Sequence, residues 1–345
     1  MRYPEFLKNG GRIGFIAPSF GCSRSPYAER FSGALKFFKA QGYECVLGPN
    51  CYEDKGFGKS NSPMLCGEEI NDFLCNDRSD IVISCGGGET MCEDLDYVDF
   101  ERIKSSPAKW YMGYSDNTNL VYTLSVLCDI AAIYGPCAPS FGLRKLHPAL
   151  KDALLLLKGE KLSLKNYDGW QADEDDREYP PDEPYRINRP FSMKTFIADR
   201  SVTEDVSFSG RLIGGCLDIL GVICGSRYDA TRQFNERYKS DGAVWFLESC
   251  NLTSMDTLRT LWKLDSAGWF ETAKGFLIGR PYEYGNEDFG LSQYDAALRI
   301  LFKYKVPVIM DLDIGHLPPM MPLISGAYCT AGTKSGEFFI NMALK

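Results

Sequence analysis

Two histidines, a serine and a glutamate stand beside predicted turns, and these side chains together could perform acyl transfer. His147 begins an ordinary predicted helix, and it is one of only two histidines in the chain. The other, His316, follows a predicted strand and is flanked by Gly315 and by the rigid pair Pro318-Pro319. Imidazole is the side chain best suited to act as a base near neutral pH. His316 is therefore the better candidate for a general base, although a loop histidine without a function is the common alternative.

The candidate nucleophile is Ser115, within Gly113-Tyr114-Ser115-Asp116-Asn117. A serine between a buried strand and a helix exposes its hydroxyl on a sharp turn, and the next backbone amide helps to form an oxyanion hole. The generic pattern has glycine two residues after the serine, whereas this chain has Asn117. Helix N-capping is the alternative interpretation, because Ser, Asp and Asn are all good caps. This string alone favours the cap.

A glycine run and a glutamate also lie at the ends of predicted strands. The run Gly86-Gly87-Gly88 could present backbone amides to an anion or to a developing oxyanion. No dinucleotide or P-loop pattern accompanies it, and a tight turn without function is the alternative. Glu248 ends the apolar strand at 243–247. A carboxylate there can orient a histidine, as in a catalytic triad, or it can simply be a solvated strand end.

The first half of the chain predicts the elements that would position these residues. Apolar runs of strand length alternate with segments of helical spacing, which predicts a parallel α/β sheet. Ligands gather at the carboxyl ends of the strands in such sheets, where Gly86–Gly88 and Ser115 both lie. The predicted strands are 12–18, 43–47, 81–85 and 110–113, and the predicted helices are 27–41, 64–75 and 117–127.

A length of 345 residues suggests about two domains. We predict an N-terminal α/β nucleophile domain over 1–160 and a mixed α+β, β-rich C-terminal domain over 196–345, with a hairpin near 326–340. The connector at 161–195 is rich in Asp, Glu, Pro and Tyr and has no apolar period, which is typical of a surface connection. Its acidic run at 173–176 is interpreted as solvated chain rather than as a cation site.

Composition excludes several function classes. The net charge is −8 and basic runs are absent, so nucleic-acid binding is not expected. No apolar stretch reaches about 18 residues and the N-terminus has no signal-peptide core, so a membrane partner is not expected. Thirteen cysteines without a C-x-x-C spacing predict reduced thiols in a cytoplasm. With only two histidines, no zinc or other metal is expected, and no organic cofactor is indicated.

Taken together, six segments resemble the LD-carboxypeptidase family of serine peptidases, which includes the microcin-immunity peptidases. They are, in order, 11–19, 81–89, 113–116, 212–217, 246–248 and 315–316. The resemblance implies Ser115 as nucleophile, Glu248 as triad acid and His316 as base, in the cleft between the two domains. It implies oxyanion donors at Gly87 and Asp116. The substrate-binding residues expected beside them are Gly88, Glu89 and Trp170.

The chain departs from the family pattern in three places. Cys216 stands where the family commonly has Asn, and the loop at 85–90 lacks the Arg-Gly-Gly-Tyr-Gly of many murein enzymes. The chain is also long, mainly in the connector that carries Trp170. The loop and the connector are closer to the immunity branch, where such a connector is thought to cover an aminoacyl-nucleotide. Trp170 is therefore either a stacking residue or a plug in the core.

The leading functional hypothesis is a cytoplasmic serine carboxypeptidase of peptidoglycan recycling, without a cofactor. It would hydrolyse the L,D amide bond of a murein tetrapeptide through an acyl-enzyme. The first alternative is a microcin-immunity amidase that cleaves peptidyl- or aminoacyl-nucleotides, and the second is a non-catalytic two-domain ligand-binding protein. The resemblance also implies a homodimer.

Overall fold

The computed structural model describes residues 1–172 and 179–345, so the acidic run at 173–176 lies outside the described residues. The strands are β1 (Arg12–Ile16), β2 (Glu44–Leu47), β3 (Ile81–Ser84), β4 (Tyr111–Gly113), β5 (Ala132–Tyr134), β6 (Ser163–Lys165), β7 (Gly169–Trp170), β8 (Arg189–Pro190), β9 (Lys194–Ile197), β10 (Arg200–Val202), β11 (Ser207–Cys216), β12 (Ala243–Glu248), β13 (Ala273–Gly279), β14 (Pro307–Leu312), β15 (Leu323–Ser325), β16 (Tyr328–Lys334) and β17 (Glu337–Ala343). The α-helices are α1 (Tyr27–Ala40), α2 (Pro63–Cys75), α3 (Phe100–Ser105), α4 (Thr118–Val126), α5 (Pro148–Leu157), α6 (Leu217–Ile223), α7 (Thr231–Arg237), α8 (Ser254–Ser266) and α9 (Gln293–Leu301).

The first half builds a six-stranded sheet in the order β15-β5-β4-β3-β1-β2. Strands β5, β4, β3, β1 and β2 are mutually parallel, which confirms the predicted α/β class. All four residues of β3 are buried, as expected for a continuous apolar strand in a covered parallel sheet. The carboxyl ends of β3 and β4 therefore bring the glycine loop and Ser115 to one edge.

The second half builds a nine-stranded sheet in the order β10-β9-β14-β13-β12-β11-β16-β17-β6. The four central strands β14, β13, β12 and β11 run parallel to one another, and the strands on either side of them pair antiparallel. This mixed sheet confirms the predicted second fold type. The predicted hairpin near the C-terminus is β16–β17, whose register runs from Tyr328 opposite Ala343 to Lys334 opposite Glu337.

The two sheets exchange strands and share a core. Strand β15, late in the chain, pairs with β5 of the first sheet, whereas β6 forms an edge of the second sheet. One apolar cluster contains Phe15 of β1 together with Phe246 of β12 and Leu277 of β13. The halves are therefore packed against each other through buried side chains, and this contact fixes how the strand ends of the two sheets face each other.

The connector differs from the surface segment that its composition predicts. It contributes β6 to the large sheet, and β7 pairs with β8 in a small separate sheet. Leu164, Tyr167 and Trp170 are each less than one-tenth exposed. Isolated apolar residues in a mainly polar segment give no periodic signal, so only the packed chain reveals that they are buried.

All thirteen cysteines are free thiols, and most of them are buried. Within the described residues, no helix combines the length and the apolar character that a membrane crossing requires.

Candidate active site

Ser115 occupies a strained turn directly after β4. Its φ is 63°, a value that non-glycine residues rarely adopt and that is often found at functional sites. A short 3-10 turn at Ser115–Asn117 leads from the strand into α4, and no side chain caps either helix start. The capping interpretation is therefore wrong for Ser115. Its Oγ lies 2.9 Å from His316 Nε2, as an elbow serine requires.

His316 and Glu248 come from neighbouring parts of the second sheet. Glu248 is the last residue of β12 and is fully buried, and His316 lies in the loop after β14 with 13% of its side chain exposed. His316 Nδ1 lies 2.9 Å from Glu248 Oε2. One hydrogen-bonded series therefore runs from Ser115 of the first sheet through His316 to Glu248. His147, by contrast, begins α5 and accepts the Ala149 N–H at 3.2 Å.

Gly315 is required by the position of Glu248. The φ of Gly315 is +110°, and a Cβ placed on it would lie 2.5 Å from Glu248 Oε2 and 2.9 Å from its Cδ. Only glycine lets the histidine loop pass this close to the carboxylate. The Gly-His pair of the sequence thus has a direct steric cause.

The charges of the pair stabilise each other. Burial alone would raise the pKa of Glu248, but the charge of His316 and hydrogen bonds from His316, Tyr134 and Cys216 outweigh it and lower that pKa. Burial alone would lower the pKa of His316, yet the Glu248 carboxylate, with a smaller effect from Cys250, raises it well above its usual range. The imidazolium that forms during proton transfer is therefore stabilised.

Tyr134 is a site residue that the sequence analysis missed. Its hydroxyl accepts the Ser115 N–H at 3.2 Å and donates to Glu248 Oε1. Tyr134 ends β5, which lies beside β4 in the first sheet. The rule that ligand-facing residues gather at the carboxyl ends of parallel strands could have found it, had the three-residue strand been predicted.

The two predicted oxyanion positions both adjoin the serine. A Cβ on Gly87 would lie 3.1 Å from Ser115 Cβ, 3.2 Å from its Oγ and 3.9 Å from the amide nitrogen of Asp116. The Asp116 side chain is buried, where its Oδ2 accepts from Ser19 Oγ and from the Met91 N–H. This carboxylate therefore holds Ser19 and Met91, and only the main chain of Asp116 adjoins the reacting hydroxyl.

The three predicted substrate-binding residues have different surroundings. Gly88 has a φ of +151° and packs against Ser19, so a side chain would not fit there. Glu89 is exposed. Trp170 is only 6% exposed, and its ring packs against Tyr284 and Arg280.

A cavity of about 630 Å³ lies beside Trp170. Its aromatic wall consists of Trp170, Tyr282 and Tyr284, and it reaches Leu317, the residue after His316. The Gln171 N–H also bonds to the Pro318 carbonyl at 2.7 Å. The Trp170 segment is thus attached to the loop that carries the histidine.

The buried ion pair of Arg280 and Asp313 connects the same two segments. Arg280 donates to an Asp313 carboxylate oxygen and to the Asp311 carbonyl, and the Tyr167 N–H bonds to the other Asp313 oxygen at 2.9 Å. Burial raises the pKa of Asp313, and the charge of Arg280 opposes that rise. Arg280 therefore links the Trp170 ring to the chain that leads to His316.

No group of three or more His, Cys, Asp and Glu side chains with the spacing of a metal site occurs in the ranges 1–172 and 179–345.

A serine hydroxyl, an imidazole and a buried carboxylate, joined in series where two α/β sheets meet, form the constellation used by serine peptidases. Models of the LD-carboxypeptidase N-terminal and C-terminal domains match residues 13–135 and 209–331, respectively. The chain belongs to the LD-carboxypeptidase family, and it is a serine peptidase. This confirms the resemblance that the six sequence segments indicate.

Relatives extend over nearly the whole chain. A predicted carboxypeptidase of Vibrio cholerae is 26% identical over 330 residues, which cover 93% of this chain and 92% of the relative. The predicted carboxypeptidase YocD of Bacillus subtilis is 22% identical and covers 97% of both chains.

Solved structures share the fold. An MccF-like protein from Bacillus anthracis superposes with a TM-score of 0.83 at 20% identity, and the match covers 100% of both chains. The microcin C7 self-immunity protein MccF in complex with glutamyl sulfamoyl guanosine gives a TM-score of 0.78 at 20% identity, covering 98% of both chains. At this identity the likeness establishes the two-domain α/β fold.

Proposed function

We propose that this protein hydrolyses a C-terminal amide bond of a small peptide through a triad of Ser115, His316 and Glu248. The observation that carries the proposal is the unbroken series Oγ···Nε2 and Nδ1···Oε2, at 2.9 Å for each step. Both distances lie within hydrogen-bond reach, which the base needs to take the serine proton and the carboxylate needs to orient the base.

In the proposed reaction His316 Nε2 takes the Ser115 proton while Oγ attacks the amide carbonyl carbon. Glu248 holds the Nδ1 proton in place, so that Nε2 is free to accept, and it stabilises the imidazolium. The imidazolium then gives its proton to the leaving amine, and an acyl-Ser115 ester remains. Water, activated by the same imidazole, hydrolyses this ester and restores the serine.

The oxyanion would be held by the backbone amides of Asp116 and of the Gly87 region. Both lie next to Ser115, and the fixed Asp116 carboxylate keeps this main chain in place. Each such donor is typically worth about 2.7–4 kcal/mol of transition-state stabilisation.

For the substrate we propose a murein-type peptide with an L,D bond. The family description supports the L,D bond and the names of the relatives support a carboxypeptidase, whereas the murein peptide rests on the family resemblance. We propose that the enzyme acts in a reducing cytoplasm, since its thirteen cysteines are all unpaired. The proposal also includes a homodimer, which rests on the family resemblance alone. Gly88 and Glu89, on the loop beside Ser115, are proposed to contact the peptide.

A second candidate is cleavage of a peptidyl- or aminoacyl-nucleotide. The observation that favours it is the cavity beside His316, whose aromatic wall of Trp170, Tyr282 and Tyr284 fits a flat heterocycle. Two solved structures of the fold hold ligands of this type, glutamyl sulfamoyl guanosine and aspartyl sulfamoyl adenosine.

The test is a mass-spectrometric hydrolysis assay with a murein tetrapeptide that ends in D-Ala and, in parallel, an aminoacyl-sulfamoyl-adenosine. Ser115→Ala is expected to abolish turnover, whereas Ser125→Ala, which removes a buried hydroxyl bonded to Ser325, is the matched control. Release of D-Ala by wild type alone supports the carboxypeptidase, and cleavage of the conjugate alone supports the second candidate. Equal turnover by Ser115→Ala and wild type would refute the proposed triad.

Trp170→Leu separates the two substrates further. If the ring stacks on a base, this variant loses activity only toward the nucleotide conjugate. Equal losses toward both substrates would mean that the Trp170 ring supports the His316 loop through Arg280.

A further inference from the structure

Tyr134 connects the two sheets at the point where the proposed triad is assembled. It ends β5 of the first sheet, and its hydroxyl donates to Glu248 at the end of β12 in the second sheet. The same oxygen accepts the Ser115 N–H at 3.2 Å. We propose that Tyr134 is a positioning residue that fixes the Ser115 turn and the Glu248 carboxylate with one hydroxyl group. The inference rests on the proposed function of the triad.

Counting donors and acceptors supports this role. A phenol has one proton to give, and a carboxylate can only accept. Tyr134 therefore gives its proton to Glu248 Oε1, while His316 Nδ1 occupies Oε2. Burial raises the pKa of Tyr134 well above its usual value, and the Glu248 charge adds to this effect. The hydroxyl thus remains protonated, and both oxygens of the carboxylate are fixed in direction.

The second bond of Tyr134 determines which amides can serve the oxyanion. Since the Ser115 N–H points to the Tyr134 oxygen, the nucleophile's own amide is already occupied. The backbone amides of Asp116 and Gly87 then remain as the donors to the oxyanion. The same bond holds Ser115 at its φ of 63°, a conformation that a free turn would relax.

Removal of the hydroxyl alone should leave the packing intact. The Tyr134 ring packs against Phe246 at 5.4 Å and against Tyr114 at 6.5 Å between ring centroids, and phenylalanine would keep both contacts. The titratable groups that face Glu248 are His316, Tyr134 and Cys216, with Cys250 beside the imidazole. Of these, only Tyr134 changes in Tyr134→Phe.

The experiment compares Tyr134→Phe with Tyr122→Phe, which removes another fully buried hydroxyl, bonded to Thr231 at 2.7 Å. The first readout is the rate at which a fluorophosphonate labels Ser115 between pH 5 and 9, and the second is kcat and KM on the substrate that wild type cleaves. Tyr134→Phe should label about 10–100-fold more slowly, in proportion to a lost hydrogen bond to a charged group. We expect kcat to fall with KM unchanged.

The pH profile distinguishes positioning from general support of the fold. Without the Tyr134 donor the Glu248 charge is less stabilised and attracts the His316 proton more strongly. The acid limb of the labelling rate should therefore move to higher pH. Replacement of Tyr134 by 3-fluorotyrosine, a more acidic phenol of nearly the same size, should move it to lower pH. This second variant carries the test if Tyr134→Phe does not fold.

The two proposals fail in different ways. Wild-type protein that neither labels nor hydrolyses would refute the proposed triad itself. Wild-type labelling with an unchanged rate and acid limb in both Tyr134 variants would overturn the positioning role alone. An equal loss in Tyr122→Phe would also overturn it, because that loss would reflect the core rather than the triad.

Discussion

Gly315→Ala should uncouple His316 from Glu248 without removing any functional group. The added Cβ would lie 2.5 Å from Glu248 Oε2 and 3.0 Å from Glu248 Cβ, whereas ordinary contacts begin near 3.4 Å. Glu248 cannot rotate away freely, because it is fully buried and hydrogen-bonded through both oxygens. Either the carboxylate or the histidine loop must therefore move by about 0.9 Å, if the closest contact is to reach 3.4 Å.

A movement of this size is enough to break the hydrogen bond between His316 and Glu248. Stretching the 2.9 Å Nδ1···Oε2 distance by most of an ångström takes it beyond hydrogen-bonding range. Misplacement of catalytic groups by about 1 Å can cost about 10²-fold in rate. We therefore expect kcat to fall about 100-fold while KM changes little. The alanine at positive φ should also cost about 1–3 kcal/mol of the free energy of unfolding.

Gly336→Ala is the matched control, since Gly336 has a φ of +83° in the exposed β16–β17 turn and a Cβ there meets nothing within 4 Å. It should lose a similar free energy of unfolding and keep full activity. The assays are fluorophosphonate labelling, steady-state kinetics and urea unfolding of both variants. A folded Gly315→Ala protein with kcat within about threefold of wild type would refute the reasoning.

Two further predictions concern buried charges. Arg280→Met should lower the free energy of unfolding by about 3–5 kcal/mol in urea titrations, because it leaves Asp313 charged, buried and unpaired. A loss below about 1 kcal/mol would contradict this, and Arg259→Met, in an exposed pair, is the control. Burial raises the pKa of Glu69 to about 7, although its carboxylate accepts the Ala17 and Asn50 amide protons. The folded state thus holds this proton more tightly, so the free energy of unfolding should fall by up to about 3 kcal/mol between about pH 4.5 and 7. Glu69→Gln should lack this part of the pH dependence, and parallel curves for the two proteins would refute the assignment.

Local patterns could predict the strands and turns of the site because each depends on neighbours in sequence. The apolar run that ends at Gly113 is followed closely by Ser115, and the apolar run that ends at 247 is followed by Glu248. A polar residue after such a run marks the carboxyl end of a buried strand. The strand β5 was not predicted, since three residues are too few to give a period. Tyr134 was missed with it.

The burial of the connector, by contrast, could not be predicted from local patterns. Its composition predicts exposed chain, and the charged residues around Trp170 support that expectation. Burial of Trp170 depends on Arg280 and Tyr284, which lie more than a hundred residues further along the chain. No pattern within the segment can report partners at that separation.

The sequence alone predicts the α/β class, the main strands of the first half, and the positions at which a serine, a glutamate and a histidine stand at or beyond the end of a strand. The packing of the two sheets, which no local pattern reports, brings Ser115 and His316, 201 residues apart, within a hydrogen bond of each other. It also decides that Tyr134 links both sheets and that Gly315 passes against Glu248. The physical reason is that periodicity reports which face of an element is buried, whereas contact depends on which other element covers that face.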